Sequence, residues 1–467
     1  MSDSMQALRP IWQSAGLSAH TLRPLSLTGT DPVLPSSFAV GAAAQTSLAA
    51  AALAATEIGR HRNGLHQRVR VDMRHAALEC CGHYTLDGRV PQQWDQLAGL
   101  YPCGPAGGDG WVRLHTNFAH HRNGVLRLLG LPPGADTRRE AVAAALQHWR
   151  AFEFEDAAAS AGLVVAALRS FAEWDRHPQS AAVAQLPLVA IEKTGAADPI
   201  EWPALPRDAG PLHGLRVLDL TRILAGPVAG RTLAAYGADV LLVNAPHLPN
   251  IGAIADTSRG KFSALADLRS AAGREGLRAV LRDAHVFVQG YRPGALDAFG
   301  FGPREVAKVR PGIVVVSLSA YGEVGPWAGR RGFDSLVQTA TGLNHAEAQA
   351  AGVPQPKALP MQILDMASGY LMAFGAQAAL LRQQAEGGSW HVRVSLARTA
   401  LWLRELGRVA NGFAAPSPDF TGLLQTQPSG FGALGAMCHA AEFSHAPAAW
   451  ARPSMPPGSH ALAWPAD

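Results

Sequence analysis

Residues 211–243 read PLHGLRVLDLTRILAGPVAGRTLAAYGADVLLV, and their alternation decides the fold. Arg216–Leu220 (RVLDL) and Asp239–Val243 (DVLLV) are short, nearly unbroken apolar runs, with a helical stretch, Ala229–Tyr236, between them. A strand has that unbroken character when helices cover both faces of its sheet, the usual state of a parallel sheet. The alternation continues through helix Ala271–Asp283, strand His285–Gln289, helix Pro303–Val309 and strand Ile313–Ser317. From about residue 212 to 316 the chain is therefore expected to be α/β, a Rossmann-like, doubly wound parallel sheet. Gly226-Pro227, Pro293-Gly294 and Gly325-Pro326 follow strands, where such folds carry their ligand loops.

The remainder of the 467 residues leaves room for further domains. Composition is 48% hydrophobic and 16% charged, which lies in the globular range and away from disorder. Net charge is only +4 and the basic residues are dispersed, so nucleic acid is not expected as a partner and an anionic small ligand is. Cys80, Cys81, Cys103 and Cys438 form no CxxC pair and are expected as free thiols in a reducing, cytoplasmic setting. The start, MSDSMQALRPIW, lacks a basic segment followed by an apolar one, so no secretory signal is expected. The apolar stretch Ala39–Ala55 is nearly all alanine and broken by Gln45, Thr46 and Ser47, which describes a packed helix better than a bilayer span. No membrane association is expected. No histidines sit at metal-ligand spacing with a carboxylate, so no metal is expected, and His120, His121, Trp111, Trp149 and Trp174 are read as core or surface residues.

Upstream of the sheet, Asp109–Leu129 reads as a short strand, GWVRL, entering a helix, and Thr137–Trp149 and Asp156–Ala161 continue helically. Residues 101–185 are thus expected to be a smaller, mainly helical domain. Residues 186–211, rich in proline, are expected to be a linker, and 413–467 an extended tail that wraps the surface. Gly64, Val69, Arg70, Val71, Ala77 and Leu78 recur as Gly387, Val392, Arg393, Val394, Ala400 and Leu401, each 323 positions on. Shared helix-turn-strand grammar is one explanation. A degenerate repeat covering residues 1–100 and packing on the large domain, 212–412, is the other.

The quoted stretch resembles the opening strand, helix and second strand of the family III (CaiB/BaiF-type) CoA-transferases. The resemblance continues through RGKFSALADLRS (259–270), VFVQGYRPGALDAFGFG (286–302), VSLSAYGEVGPWAGRRGFDSLVQTATG (316–342) and LPMQILDMASGYLMAFGAQAALL (359–381). The tail segment 439–460 also resembles the one that closes these proteins. It implies an enzyme that moves CoA between an acyl-CoA and a small carboxylic acid, using CoA as substrate and no tightly bound cofactor. An aspartate carboxylate attacks the thioester, and a mixed anhydride and then an enzyme thioester follow. Matching residue by residue puts that aspartate at Asp365, at the start of a predicted helix whose N-terminus would hold it ionised. Without the resemblance, an Asp there is more commonly an ordinary first-turn residue. The same matching implies Arg259, Lys261 and Arg292 for the CoA phosphates, with solvated surface cations as the alternative. Leu224, Ala225, Tyr321 and Gly322 fall in loops that lie against the substrate in relatives, or are plain turn and packing residues.

Two departures qualify the resemblance. Phe333 stands before Asp334 where racemases of the family carry a histidine, so transfer is favoured over racemisation. The order of parts is also rearranged, with the small-domain-like region first. Relatives form interlocked dimers; this chain is expected as a homodimer or as a monomer supplying both halves itself. A catalytically silent CoA-binding or assembly protein and an acyl-CoA racemase or isomerase are the alternative functions.

Overall fold

The computed structural model describes residues 3–465. Its centre is a seven-stranded sheet in the order Lys261–Leu265, Asp239–Asn244, Arg216–Leu220, Val286–Gln289, Val314–Ser319, Ser389–Ser395, Ala190–Gly195. The first six are parallel and the last is antiparallel. The chain builds outward from Arg216–Leu220 in one direction, then returns and builds from Val286–Gln289 in the other. The loops after those two strands therefore diverge and leave a crevice between them, the place where open α/β sheets bind ligands.

The antiparallel edge strand lies within residues 186–211, expected to be a linker. Its sequence, AIEKTG, carries three consecutive polar residues and no buried position, as suits a sheet edge, and so lacks the apolar run that marks its neighbours. Lys261–Leu265 was likewise not anticipated as a strand, since Lys261 opens it.

Two helices of 24 residues form the core: Ile363–Glu386 lies on this sheet, and Val40–Asn63 packs on that helix and on a small sheet made by Leu25–Thr28, Val69–Asp72 and Ala441–Phe443. They pack on each other, and the offset of 323 carries one onto the other from end to end. Every residue from Val40 to Gly59 is buried, which a helix can sustain when alanine covers nearly all of its circumference. Ile363–Glu386 is long and apolar enough to cross a membrane by length and composition, yet its apolar window is wholly buried inside the protein. The same offset matches the caps that follow. Asp72 accepts from His75 N at 3.1 Å and Ser395 from Arg398 N at 3.3 Å, each opening the next short helix.

The smaller domain is mainly helical, as expected, but it also holds a sheet that the sequence did not announce. Gly99–Pro102, Trp111–Leu114 and Val165–Ala167 make an antiparallel sheet, flanked by helices Ala119–Leu128, Arg139–Leu146 and Ala151–Ser160. GLYP and VAA are too short and too poor in β-branched residues to announce themselves as strands. The tail, expected to be extended, is paired as well. Leu424–Ser429 and Gly432–Met437 form a hairpin that pairs with Tyr84–Leu86, and Ala441–Phe443 pairs with Val69–Asp72. Gly432–Met437 is rich in Gly and Ala and Leu424–Ser429 (LQTQPS) is mostly polar, so their stability comes from the surface they cover rather than from their own propensity.

Candidate active site

Helix Ile363–Glu386 starts at the crevice, and Asp365 occupies its first turn at 7% exposure. Its placement depends on glycine. A Cβ at Gly369, one turn on, would lie 2.6 Å from the Ala225 carbonyl oxygen, so only glycine lets this helix cross Ala225–Ala235 at such close range. The loop leading into Ala225–Ala235 contains Ile223 at φ 76°, a left-handed conformation that a β-branched residue adopts only under constraint. That strained turn sets Leu224 and Ala225 beside Asp365.

The second carboxylate is Asp334, fully buried at the start of helix Asp334–Ala340. Its Oδ2 accepts from the Asp365 backbone N–H at 2.9 Å, and Gln338 Nε2 donates to Oδ1. Gln338 Oε1 accepts in turn from Leu359 N and Asn344 Nδ2, which fixes the segment entering the Asp365 helix. The helix N-terminal amides of Leu364 and Asp365 are therefore spent on Asp334. This reverses the expectation that the helix end keeps Asp365 ionised. Burial, then repulsion from Asp334, pushes Asp365 well above the usual carboxylate range. Burial lifts Asp334 to about 7 against the pull of its hydrogen-bond donors and of Arg113. Asp334, which holds the donors, ionises first, and the proton of the pair resides on Asp365.

An inner chamber of about 80 Å³ exposes Asp365 to Leu224, Ala225, Gly290, Ser319 and Phe333. It shares Arg222, Gly290, Ser319, Ala320 and Phe333 with an outer chamber of about 360 Å³. Arg292, in the turn after Val286–Gln289, lines the outer chamber and is exposed. Leu224, Ala225, Arg292 and Asp365 are thus brought to one continuous crevice.

Four other sequence candidates are not. Arg259, 3% exposed, pairs with Asp256 at 2.5 Å, donates to Met437 O and lies 3.7 Å over the Trp450 ring. Lys261 is wholly buried, with Nζ 2.8 Å from both Asp219 Oδ2 and Pro227 O. Both cations are committed to buried carboxylates inside the fold, Arg259 to Asp256 and Lys261 to Asp219, so neither faces a ligand. Tyr321 is buried edge-on to Trp327, and Gly322 sits beside Leu186; neighbouring Ala320 lines the crevice instead.

Sequence reading missed Arg222, His120, His121 and Arg331, all in the outer wall. Arg222 carried a usable signal, since it lies two residues beyond a strand next to the switch in strand order. His120 and His121 carried none, because they reach the crevice from the smaller domain through tertiary packing alone. His115, also from that domain, stacks on Phe333 with ring centroids 3.9 Å apart. Among the described residues no group of three or more ligating side chains is placed to hold a metal.

Residues 212–418 match the model of CoA-transferase family III. An acyl-CoA transferase of Gibberella moniliformis is 32% identical over 304 residues, covering 61% of this chain and 53% of its own. An acetyl-CoA:oxalate CoA-transferase of Acetobacter aceti is 30% identical over 206 residues, covering 42% of this chain and 52% of that protein. A crystal structure of a protein from Mycobacterium tuberculosis, 32% identical, covers 42% of this chain and 58% of that chain with a TM-score of 0.39. The chain spans about half the length of the curated relatives it matches.

Proposed function

From a chain whose residues 212–418 carry the CoA-transferase family III segment, we propose that it moves CoA between an acyl-CoA and a carboxylic acid, with Asp365 as nucleophile. The observation that carries this reading is a buried carboxylate at the inner end of a cation-walled crevice, open to it and to no other cavity described above.

The chemistry follows from the groups present. An Asp365 oxygen attacks the thioester carbonyl, the carbon–sulfur bond breaks, and the acyl group leaves as an aspartyl mixed anhydride with CoA as thiolate. The thiolate then attacks the aspartyl carbonyl and releases the first acid, leaving CoA as an Asp365 thioester. The acceptor carboxylate repeats the two steps in reverse. A carboxylate suits this exchange because its anhydride is comparable in reactivity to the thioester, so no intermediate becomes a sink. Asp334 acts through Asp365 as a positioning residue, and its negative charge keeps Asp365 basic once deprotonated. Phe333 has no proton to exchange, and the two-base requirement of racemisation is not met at that position.

Asp365→Ala is expected to abolish exchange of label between an acyl-CoA and a free acid, with unchanged circular dichroism. Exchange at the wild-type rate in that variant overturns the proposal. Hydroxylamine added during turnover is expected to label Asp365, which mass spectrometry of the peptide spanning residues 359–381 would read.

A further inference from the structure

The outer chamber is lined by Arg222, Arg292, Arg330, Arg331, His120 and His121, and by no Asp or Glu among the described residues. Arg330 is paired with Glu155 at 3.4 Å and lies 4.0 Å over the Trp327 ring. Arg222, Arg292 and Arg331 form no ion pair with any described carboxylate. Burial, and then the nearby charge of Arg292, lowers Arg331.

A second observation is independent of these charges. His121 is 4% exposed, lines the chamber, and has both ring nitrogens buried without a hydrogen-bond partner. Leaving a buried polar group unpaired costs about 1 to 3 kcal/mol. An imidazole held bare in a cavity wall, beside guanidinium groups that have no carboxylate partner, can be completed by an acceptor that enters the cavity. Burial, with His120, Arg331 and Arg222 nearby, lowers His121 to about 3, so it is neutral and presents one N–H.

The position of these groups decides which anion they receive. The chamber opens directly into the one that holds Asp365, and Arg331 is three residues from Asp334, so their Cα atoms are within about 11 Å. The reacting carbonyl lies against Asp365. The first phosphate of CoA is more than a dozen bonds from the thioester sulfur, whereas the far end of a short acyl group is only a few bonds from its carbonyl. Arg292, exposed at the turn, is left for the nucleotide side. We propose that the acid exchanged by this protein carries a second anionic group, as a short dicarboxylic acid does, and that Arg331 and His121 bind that distal anion as specificity-determining residues. This deepens the transferase reading and rests on it.

The test compares succinate, glutarate and adipate with butyrate, valerate and hexanoate, by calorimetry on the full chain with CoA present and by transfer kinetics. The best diacid is expected to bind about 10- to 100-fold more tightly than the monoacid of equal length, the scale of a charge-assisted hydrogen bond. Arg331→Gln should erase the preference and His121→Phe should reduce it, with melting temperatures close to wild type, while Asp365→Ala should keep it. Equal binding of diacids and monoacids, or a preference unchanged in Arg331→Gln, overturns the proposal. A parallel titration with desulfo-CoA separates the two sources of anion. Its affinity should be unchanged in Arg331→Gln, and a loss there with the diacid preference intact assigns the site to a CoA phosphate and overturns the proposal. Equal kcat/KM for diacids and monoacids sinks the specificity while leaving CoA transfer standing; diacid preference in binding with no transfer to any acid leaves the anion site standing and sinks the transferase reading.

Discussion

At the residue scale, the proposed chemistry turns on how two buried carboxylates divide one proton. Asp334 receives the amide donors of the helix start and Asp365 receives none of them, so ionising Asp365 means placing a second negative charge beside the first. A carboxyl raised in this way gains its nucleophilic form as pH rises. Transfer should therefore increase with pH through and above about 7, the value to which burial lifts Asp334. Asp334→Asn removes the repulsion but not the burial, which is the larger cause of the rise. Its rising limb should move to lower pH without reaching the ordinary carboxylate range, and its maximal rate should fall because asparagine cannot hold the Asp365 amide with a full charge. An unshifted pH–kcat profile would show that the two groups are not coupled. Lys261 makes the opposite case, a charge that reads as ligand-binding and is structural. Lys261→Met leaves the Asp219 carboxylate buried without its partner and should lower stability by about 3 to 5 kcal/mol. CoA affinity per folded molecule should stay the same, and calorimetry beside a denaturant titration separates the two effects.

Among the elements, legibility followed burial. Arg216–Leu220 and Asp239–Asn244 stood out because a strand covered on both faces needs an apolar residue at every position, and their expected bounds differ from the observed ones by at most one residue. The Asp365 helix was legible through resemblance rather than periodicity, because a helix buried all round has no polar face to mark its phase. Ala190–Gly195, Gly99–Pro102 and Gly432–Met437 were silent for the reason that edge and cover strands are held by partners distant in sequence. The histidines of the crevice were silent in the same way. They sit on Ala119–Leu128, and nothing local to that helix says which part of the large domain it will face. Gly369 did carry a signal, as a glycine inside a long helix that lacks any reason for a kink. Gly369→Val should push apart the Asp365 helix and Ala225–Ala235, since its Cβ would meet both Ala225 O at 2.6 Å and Val228 Cγ1 at 2.8 Å. The expected result is a loss of about 2 to 4 kcal/mol and a larger fall in kcat than in acyl-CoA affinity, because Asp365 rides on that helix.

Across the whole molecule, the N-terminal region as far as Cys80 is tied into the same core as the large domain. Glu79 is fully buried, accepts from Tyr370 Oη at 2.9 Å and Ala440 N at 2.8 Å, and pairs with Arg231 at 3.4 Å, so one carboxylate joins the N-terminal region, the large domain and the tail. Within that shared core the two long helices occupy comparable places, and the offset that superposes their sequences takes Asp365 to Ala42. The comparison extends to the hydrogen bond at the helix start. Ala42 N donates to Asp31 Oδ2 at 2.9 Å, as Asp365 N donates to Asp334 Oδ2 at 2.9 Å. A carboxylate thus accepts the helix-start amide on both sides, but from unrelated positions, since the offset carries Asp31 onto Pro354, and the proposed nucleophile is present on one side only. Around Ala42 the space is filled: Ala39, Ala42 and Met73 form an apolar cluster with Val33, Leu406 and Val409 against it, and no chamber opens there among the cavities described above. An alanine methyl can neither attack a thioester nor carry charge. Each chain should consequently bind one trapped acyl group, at Asp365, and active-site titration should give one label per 467-residue chain. Ala42→Asp should not add a second. A carboxylate placed there would face the Asp31 carboxylate inside an apolar cluster with no cationic crevice to admit CoA, so it should lower stability without creating activity. Two labels on the wild-type chain would mean that a second nucleophile exists outside the crevice, and the peptide that carries it would identify where the two halves have been matched wrongly.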